Sequence, residues 1–368
     1  MNKYIHQLKQ WPSFNWDEKV ISHLLSQTRY KQGLLNGFME NLGFETLNEA
    51  TLQTLTSDVI KSTEIEGKIL DVAQVRSSIA KRLGLNIGGL IHADRDVEGI
   101  VEVMLDATRN FNKPLSKERL FAWHSALFPT GRNGMEKIIV GHWRNDETGS
   151  MQVVSGPMGK EKIHFTAPAS EKLNKEMNLF LKWFNKNDSS HSDQVLKSAI
   201  AHLWFVTVHP FDDGNSRLAR AIADMQLTRS DGGRQRFFSM SAQIRRERKQ
   251  YYEVLEKTQK GTLDITRWLT WFLNCMIHAL DNANEVRLRV LNKKKFWDKN
   301  SETALNERQR LMINKFLDGF EGNLTSSKWA KIAKCSADTA LRDIQHLIEK
   351  RILKKNPSGG RSTNYILK

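Results

Sequence analysis

Apolar residues recur along most of this chain at the three- and four-residue spacing of amphipathic helices. Between Trp16 and Phe38, residues Val20, Leu24, Leu25, Leu34, Leu35 and Phe38 form one stripe, which predicts a helix with a single buried face. The same period predicts helices over Leu47 to Ile65 and Asp71 to Leu83, with Gly67 and Gly84 as stops. The glycine-rich turn from Gly84 to Gly89 is a soft boundary. Beyond it, helices are expected at Asp96 to Phe111, Ser116 to Phe128, Glu171 to Asn185, Asp193 to Val208, Ser216 to Thr228, Ala242 to Gln259 and Ile265 to Leu280. The expected fold class is mainly α.

The period changes between Gly141 and Pro168. Met151 to Val154 and Ile163 to Phe165 read as short strands around Ser155-Gly-Pro-Met-Gly159, which predicts a β-hairpin. From Arg287 to Asn300 the only acid is Asp298 against Arg287, Arg289, Lys293, Lys294, Lys295 and Lys299, a pattern of a solvated helix end or connector. Helices are then expected at Leu305 to Gly319, Ser326 to Lys334 and Ala337 to Lys350. Strand-like arms follow at Ile352 to Lys355 and Asn364 to Leu367, around a tip from Asn356 to Arg361. Three helices and a Gly/Pro-tipped hairpin resemble a winged helix-turn-helix. The expected regions are 1–88, 89–290 and 303–368.

A length of 368 residues is too great for one ordinary compact domain. With 39% hydrophobic and 26% charged residues, a collagen-like, coiled-coil or wholly disordered chain is excluded. Lys plus Arg minus Asp plus Glu is 56 − 41 = +15, which suits a polyanionic partner such as nucleic acid, nucleotide or membrane surface. Cys275 and Cys335 have no neighbours at metal-ligand spacing and read as buried thiols, so neither zinc nor a disulfide framework is expected. No run reaches about 18 uncharged apolar residues, and the first residues lack a leader-like apolar stretch. A soluble, cytoplasmic protein without membrane contact is expected.

Chemistry concentrates in His209-Pro-Phe-Asp-Asp213-Gly214-Asn215-Ser216-Arg217-Leu-Ala-Arg220. Pro210 disfavours helical geometry at His209, Gly214 and Asn215 make a turn, and Asn215 suits the N-cap of a following helix. A loop closing onto a helix N-terminus offers unpaired N–H groups to phosphate. Arg217 and Arg220 share one face of the first turns and can clamp further phosphates. Asp213 is a hard oxygen ligand suited to Mg²⁺, and His209 at the lip is a base for an incoming hydroxyl. Together these describe a nucleotide-dependent transfer site.

The segment resembles the signature HxFx(D/E)GN(G/K)RxxR of the Fic family, whose enzymes transfer AMP from ATP to a protein hydroxyl and release pyrophosphate. The resemblance implies a Fic helical core with a β-hairpin flap. It makes His209 the general base, Phe211 a core anchor, Asp213 the Mg²⁺ site, Gly214 and Asn215 part of the phosphate nest, and Arg217 and Arg220 the contacts to outer phosphates. Ser216 departs from the pattern, where Gly or Lys is usual, and its Cβ disfavours positive φ. The hairpin is similar to the family's flap, which docks a target by strand addition, with Met151, Val153 and Val154 as its lining.

Ser62-Thr-Glu-Ile-Glu66-Gly67 resembles the inhibitory (S/T)xxxE(G/N) helix of the family. Ser62 and Glu66, at i and i+4, share a face. The resemblance pairs Glu66 with Arg220, which obstructs the space of the ATP γ-phosphate. Tyr4 to Phe44 is similar to an N-terminal extension found on one group of these proteins. The expectation is therefore an autoinhibited adenylyltransferase that uses ATP and Mg²⁺ and acts on a Ser, Thr or Tyr of a target protein. Two alternatives stay open: a hydrolase that removes AMP, and a DNA-binding regulator with a nucleotide-sensing core. In the last module Arg342, Lys354, Lys355 and Arg361 fit contact with a DNA backbone, with protein contact or pairing of two chains as the alternative use.

Overall fold

Helical periods in the sequence become helices almost throughout. The computed structural model describes residues 4–40, 44–85, 90–147, 149–157, 159–186, 193–233, 235–317, 320, 322–357 and 363–368. The chain divides into two compact units, Met1–Asn284 and Glu285–Lys368. Among the described residues no helix is long and apolar enough to cross a membrane.

The first unit opens with α1 (Glu18–Glu40), α2 (Phe44–Ile65) and α3 (Val72–Leu83). Asp71 caps α3 by accepting from Gln74 N at 2.8 Å, and Gly84 ends it with a φ of 68°. Then come α4 (Arg95–Arg109), α5 (Lys117–Leu127) and the paired segments β1 (Arg132–Asn133) and β2 (Glu136–Lys137). That small hairpin is too short for a periodic signal. Gly99 lets α4 cross α5 closely, since a Cβ there would lie 1.8 Å from the Ala126 carbonyl oxygen. The expected hairpin follows as β3 (Gln152–Ser155) and β4 (Lys162–Thr166), antiparallel.

Next are α6 (Leu173–Asn185), α7 (Gln194–Val208) and α8 (Asn215–Ser230). Every residue of α7 from Val195 to Val208 is buried, and Ala219, Ala221 and Ala223 of α8 are buried as well. Those small side chains let the helices approach until the Ser198 hydroxyl donates to the Ala223 carbonyl at 2.9 Å. Each fully buried Leu, Phe or Val here contributes about 1.5–3 kcal/mol of apolar transfer. The α7–α8 pair is thus a stiff platform for the loop between them.

One helix was expected over 242–259, but the chain forms α9 (Met240–Arg246) and α10 (Arg248–Gln259). They are separated at Glu247, whose backbone leaves helical values at φ −100° and ψ 23°. Its carboxylate is held by His278 Nδ1 at 2.7 Å, a long-range contact invisible to periodicity. The helix expected to stop at Leu280 runs on as α11 (Thr266–Lys299) and absorbs the basic stretch.

The second unit contains α12 (Glu307–Leu317), α13 (Ser326–Ile332) and α14 (Ala337–Glu349), then β5 (Leu353–Lys355) paired antiparallel with β6 (Tyr365–Leu367). Its core joins Met312, Ile313, Trp329, Ile344 and Leu347 to Leu353 and Tyr365 of the hairpin. Ser336 caps α14 by accepting from Thr339 N at 3.2 Å. Residues 86–89 of the expected glycine turn, and Arg361, lie outside the described residues.

Candidate active site

The site begins where α7 stops. His209 takes the left-handed conformation at φ 51° and ψ 59°, costly for a residue with a Cβ, and Pro210 then prevents the helix from resuming. Arg144, only 3% exposed, holds this strained corner. Its Nε donates to the His209 carbonyl at 2.8 Å, its backbone N–H donates to the Pro210 carbonyl at 2.9 Å, and Nη2 donates to the Pro168 carbonyl. Asp146 pairs with the same guanidinium.

Asn215 closes the far end of the loop. Its amide donates to the Phe211 carbonyl at 2.7 Å and accepts from Phe211 N at 3.0 Å. The sequence pointed to Asn215 as N-cap; instead Gly214 holds the cap position at φ 79°, and Asn215 is the first helical residue, its side chain spent on the loop. Any Cβ on Gly214 would lie 3.0 Å from the Phe128 ring, so both conformation and space demand glycine. Ser216 has a helical backbone and is not among the residues at positive φ, so its Cβ causes no strain.

Phe211 is fully buried and stacks on His124 of α5 with ring centroids 4.1 Å apart. The His124 Nδ1 accepts from Gly141 N at 3.4 Å, and its Nε2 donates to the Asp213 carbonyl at 3.2 Å. Burial pushes its pKa down to about 4, so the ring is neutral and serves as a brace.

His209 is different in role. Its Nδ1 lies 3.2 Å from the Val206 carbonyl, which can only accept, so Nδ1 carries the proton and Nε2 is the basic nitrogen. Burial holds its pKa at about 4, opposed in part by the Val206 carbonyl and reinforced by Arg144. The imidazole is therefore neutral at physiological pH and able to accept a proton. Asp213 accepts from Asn133 Nδ2 at 2.7 Å and from Gly214 N, and Arg217 Nη2 lies 3.8 Å from its carboxylate. Arg217 spreads over the Phe128 ring at 4.9 Å, and its buried Nε has no hydrogen-bond partner. Burial lowers its pKa, because little solvent remains to stabilise the charge. Its one ion pair is the 3.8 Å contact to Asp213, which leaves Nε without an acceptor.

Arg220 is satisfied by α2 instead. Its Nε donates to Ser62 Oγ at 2.9 Å, Nη2 donates to the Ser62 carbonyl at 2.8 Å, and Nη1 is 2.9 Å from Glu66 Oε1. That last contact is an ion pair by distance rather than an aligned hydrogen bond, since Nη1 has no partner in good geometry. Glu66 follows the last residue of α2, and Gly67 turns the chain away at φ 83°. Tyr252 of α10 donates weakly to Glu66 Oε2 at 3.4 Å.

These groups open on a cleft of about 1170 Å³. Its lining includes Glu66, His209, Asp213, Gly214, Asn215, Ser216 and Arg217, together with Met151, Val153 and Val154 of the hairpin region. Ser62 and Arg220 lie behind it, both nearly fully buried. Arg342, Lys354 and Lys355 are exposed residues of the second unit. Sequence reasoning missed Arg144, His124, Asn133 and the α9–α10 residues Arg246, Lys249 and Tyr252. Only tertiary folding brings them to the loop, and none carries a local spacing signal.

Residues 4–85 match a domain of unknown function, DUF4172, and residues 114–227 match the Fic/DOC family. The protein adenylyltransferase Fic of Aedes aegypti is 25% identical over 236 residues, covering 64% of this chain and 43% of that protein. Its namesake from Nematostella vectensis is 31% identical over 114 residues, covering 31% and 25%. The chain thus spans less than half the length of these curated relatives. A crystal structure of a Fic family protein from Desulfovibrio desulfuricans superposes with a TM-score of 0.54 at 18% identity, covering 95% of this chain and 96% of that one. A Fic domain containing signaling protein from Bacteroides thetaiotaomicron gives 0.51 at 19% identity, covering 72% and 95%. These two likenesses are of fold.

Proposed function

This chain is a Fic-domain protein, its domain at residues 114–227, and from that premise we propose that it is a protein adenylyltransferase held in an autoinhibited state. It would transfer AMP from ATP to a Ser, Thr or Tyr hydroxyl of a target protein. The observation that carries this reading is the neutral His209, its Nε2 basic, sharing one cleft with the N-terminus of α8 and the unpartnered Nε of Arg217.

In the proposed step His209 Nε2 takes the proton of the target hydroxyl. The hydroxyl oxygen attacks the α-phosphorus, the bond to the bridging oxygen breaks, and pyrophosphate leaves. Backbone N–H groups of the first turn of α8 and the Arg217 guanidinium would meet the phosphate oxygens. Asp213 fits a Mg²⁺ site: one carboxylate, partly exposed on the cleft, suits an ion that takes one or two carboxylates and completes its shell with substrate phosphates and water. The ion would neutralise charge on the departing pyrophosphate. The exposed strand β3 would pair with an extended target segment.

Autoinhibition is supported by the Ser62–Glu66 clamp. While Arg220 is bonded to Ser62 and Glu66 it cannot turn to outer phosphates, and the Glu66 carboxylate facing the cleft repels them. Intact-mass spectra after incubation with each of the four ribonucleoside triphosphates test the reading. An adenylyl adduct formed from ATP and raised by Glu66→Gly is expected; release of AMP from a modified target without transfer would favour the hydrolase instead.

For residues 303–368 we infer a winged helix-turn-helix that contacts duplex DNA. Arg342 on α14 and Lys354 and Lys355 on β5 are exposed, as backbone contacts require. Binding to mixed-sequence duplex should weaken with salt, and Lys354→Ala with Lys355→Ala should flatten the slope by about 0.9 per lost phosphate contact. No salt-sensitive shift, with a concentration-dependent mass instead, would mark the module as a dimer contact.

A further inference from the structure

Ser155, His164 and Glu256 form a chain of hydrogen bonds that the chemistry at His209 does not use. His164 Nδ1 lies 2.7 Å from Glu256 Oε2, and its Nε2 lies 2.6 Å from Ser155 Oγ. An ionised carboxylate only accepts, so Nδ1 carries the proton, Nε2 is the acceptor, and the Ser155 hydroxyl donates to it. Hydroxyl, imidazole and carboxylate in this order raise the nucleophilicity of a serine.

The fold builds this order with a defect in the sheet. Val153 pairs with Phe165 and Val154 pairs with Ile163, which leaves His164 as an extra residue on β4. Such a bulge re-aims a side chain. Phe165 stays buried against Tyr4, with ring centroids 5.0 Å apart, while His164 reaches both Ser155 and α10. Just past the end of α10, Lys260 engages the other oxygen of Glu256 and so leaves Oε2 for His164. Ser155 is exposed, and all three residues line the cleft that holds His209 and the start of α8.

We propose that Ser155 is a modification site, the hydroxyl of this chain that accepts the adenylyl group when no target segment occupies the hairpin edge. The proposal rests on the adenylyltransferase reading above. The Ser155 proton passes to His164 Nε2 while Oγ bonds to the α-phosphorus of ATP. The bond from that phosphorus to the α–β bridging oxygen breaks, and pyrophosphate leaves with the electron pair. The product is a phosphodiester on β3. Its bulk and negative charge lie on the strand where a target would pair, so self-modification competes with target docking.

The full chain carrying Glu66→Gly, incubated with ATP and Mg²⁺ and no other protein, should carry an adenylyl group that peptide mapping places on Ser155. Ser155→Ala should remove it from that peptide. His164→Gln should slow its appearance there by about 10²-fold or more, and Glu256→Gln, which keeps the shape of the relay, should slow it by less. An alkyl fluorophosphonate, which needs no ATP, should label Ser155 in a His164-dependent way. Adenylyl groups on other residues or on an added protein, with none on Ser155, overturn the proposal and leave the transferase reading standing. Undiminished modification of Ser155 in both relay variants, or no fluorophosphonate label, overturns the relay. No adenylyl transfer to any protein by a folded, ATP-binding chain overturns the underlying reading and this proposal with it.

Discussion

From His209 to Asn215 the loop is tied at both ends by buried residues: the Arg144 side chain holds the His209 carbonyl and its backbone N–H the Pro210 carbonyl, and the Asn215 amide holds Phe211 at both backbone groups. From Gln152 to Ser155, by contrast, every residue of β3 is exposed, and among the described residues its strand pairing runs to β4 alone. Both segments face one cleft. The difference follows from what each would have to do. A loop that positions a proton acceptor against a phosphate loses rate if it shifts by an ångström, whereas a strand that receives variable segments must leave its backbone groups available.

Breaking the rigid side of this contrast should cost most. His209→Ala removes the proposed base, and transfer should fall about 10²–10⁴-fold. ATP affinity, measured by calorimetry, should change little because the phosphate contacts lie on other groups. Arg144→Ala removes the ion-pair partner of Asp146 and leaves the His209 and Pro168 carbonyls without their side-chain donor, while the backbone bond to the Pro210 carbonyl remains. Loss of a partner in such a buried pair typically costs about 3–5 kcal/mol, so the urea midpoint should drop sharply. If it stays unchanged, the loop is held by Asn215 alone.

Releasing the clamp is the next test. Glu66→Gly should raise transfer by roughly 5- to 150-fold, the usual range of a coupling between two sites, while Arg220→Ala should lower it even in that background. A Glu66→Gly variant with unaltered labelling but lower thermal stability would make Glu66 an ordinary helix-end residue.

The smallest effects should appear with pH. Because His209 in the free chain is neutral down to about 4, kcat/KM should stay level as pH falls through 6.5 and decline only on approach to about 4. Burial also holds His124 at about 4 and His202 at about 3. All three bind a proton more readily when unfolded, so they withdraw stability as pH falls below 6.5. Asp58, raised by burial to about 7, acts in the opposite sense: its contribution favours the fold at low pH and is lost as pH rises. His6, lowered by burial, joins the three histidines and Asp212, raised by burial, joins Asp58, and the histidines should prevail and leave the urea midpoint lower at pH 5 than at pH 7. A midpoint that rises on acidification would mean that the two acids dominate.

Most helices of the first unit and the β3–β4 hairpin follow from the sequence within a few residues, the exceptions being the break at Glu247 and the extension of α11 to Lys299. The candidate site between His209 and Arg220 was marked there too. Those features rest on local signals: a 3.6-residue apolar period, Gly and Pro punctuation, and polar residues crowded into one short loop. Ser62 and Glu66 stood out by their resemblance to the inhibitory motif of the family; Ser62 lies on α2 and Glu66 directly after its last residue. What holds that loop comes from contacts distant in sequence. Arg144, His124 and Asn133 come from segments 65 to 89 residues distant in sequence from their loop partners, and nothing in their own surroundings announces the contact. Tertiary structure also moved Asn215 from cap to brace, split one expected helix at Glu247, and used a bulge to bring His164 between Ser155 and Glu256. A period records which face of an element is buried; it carries no record of which partner lies opposite, because partners are chosen by packing among all elements at once.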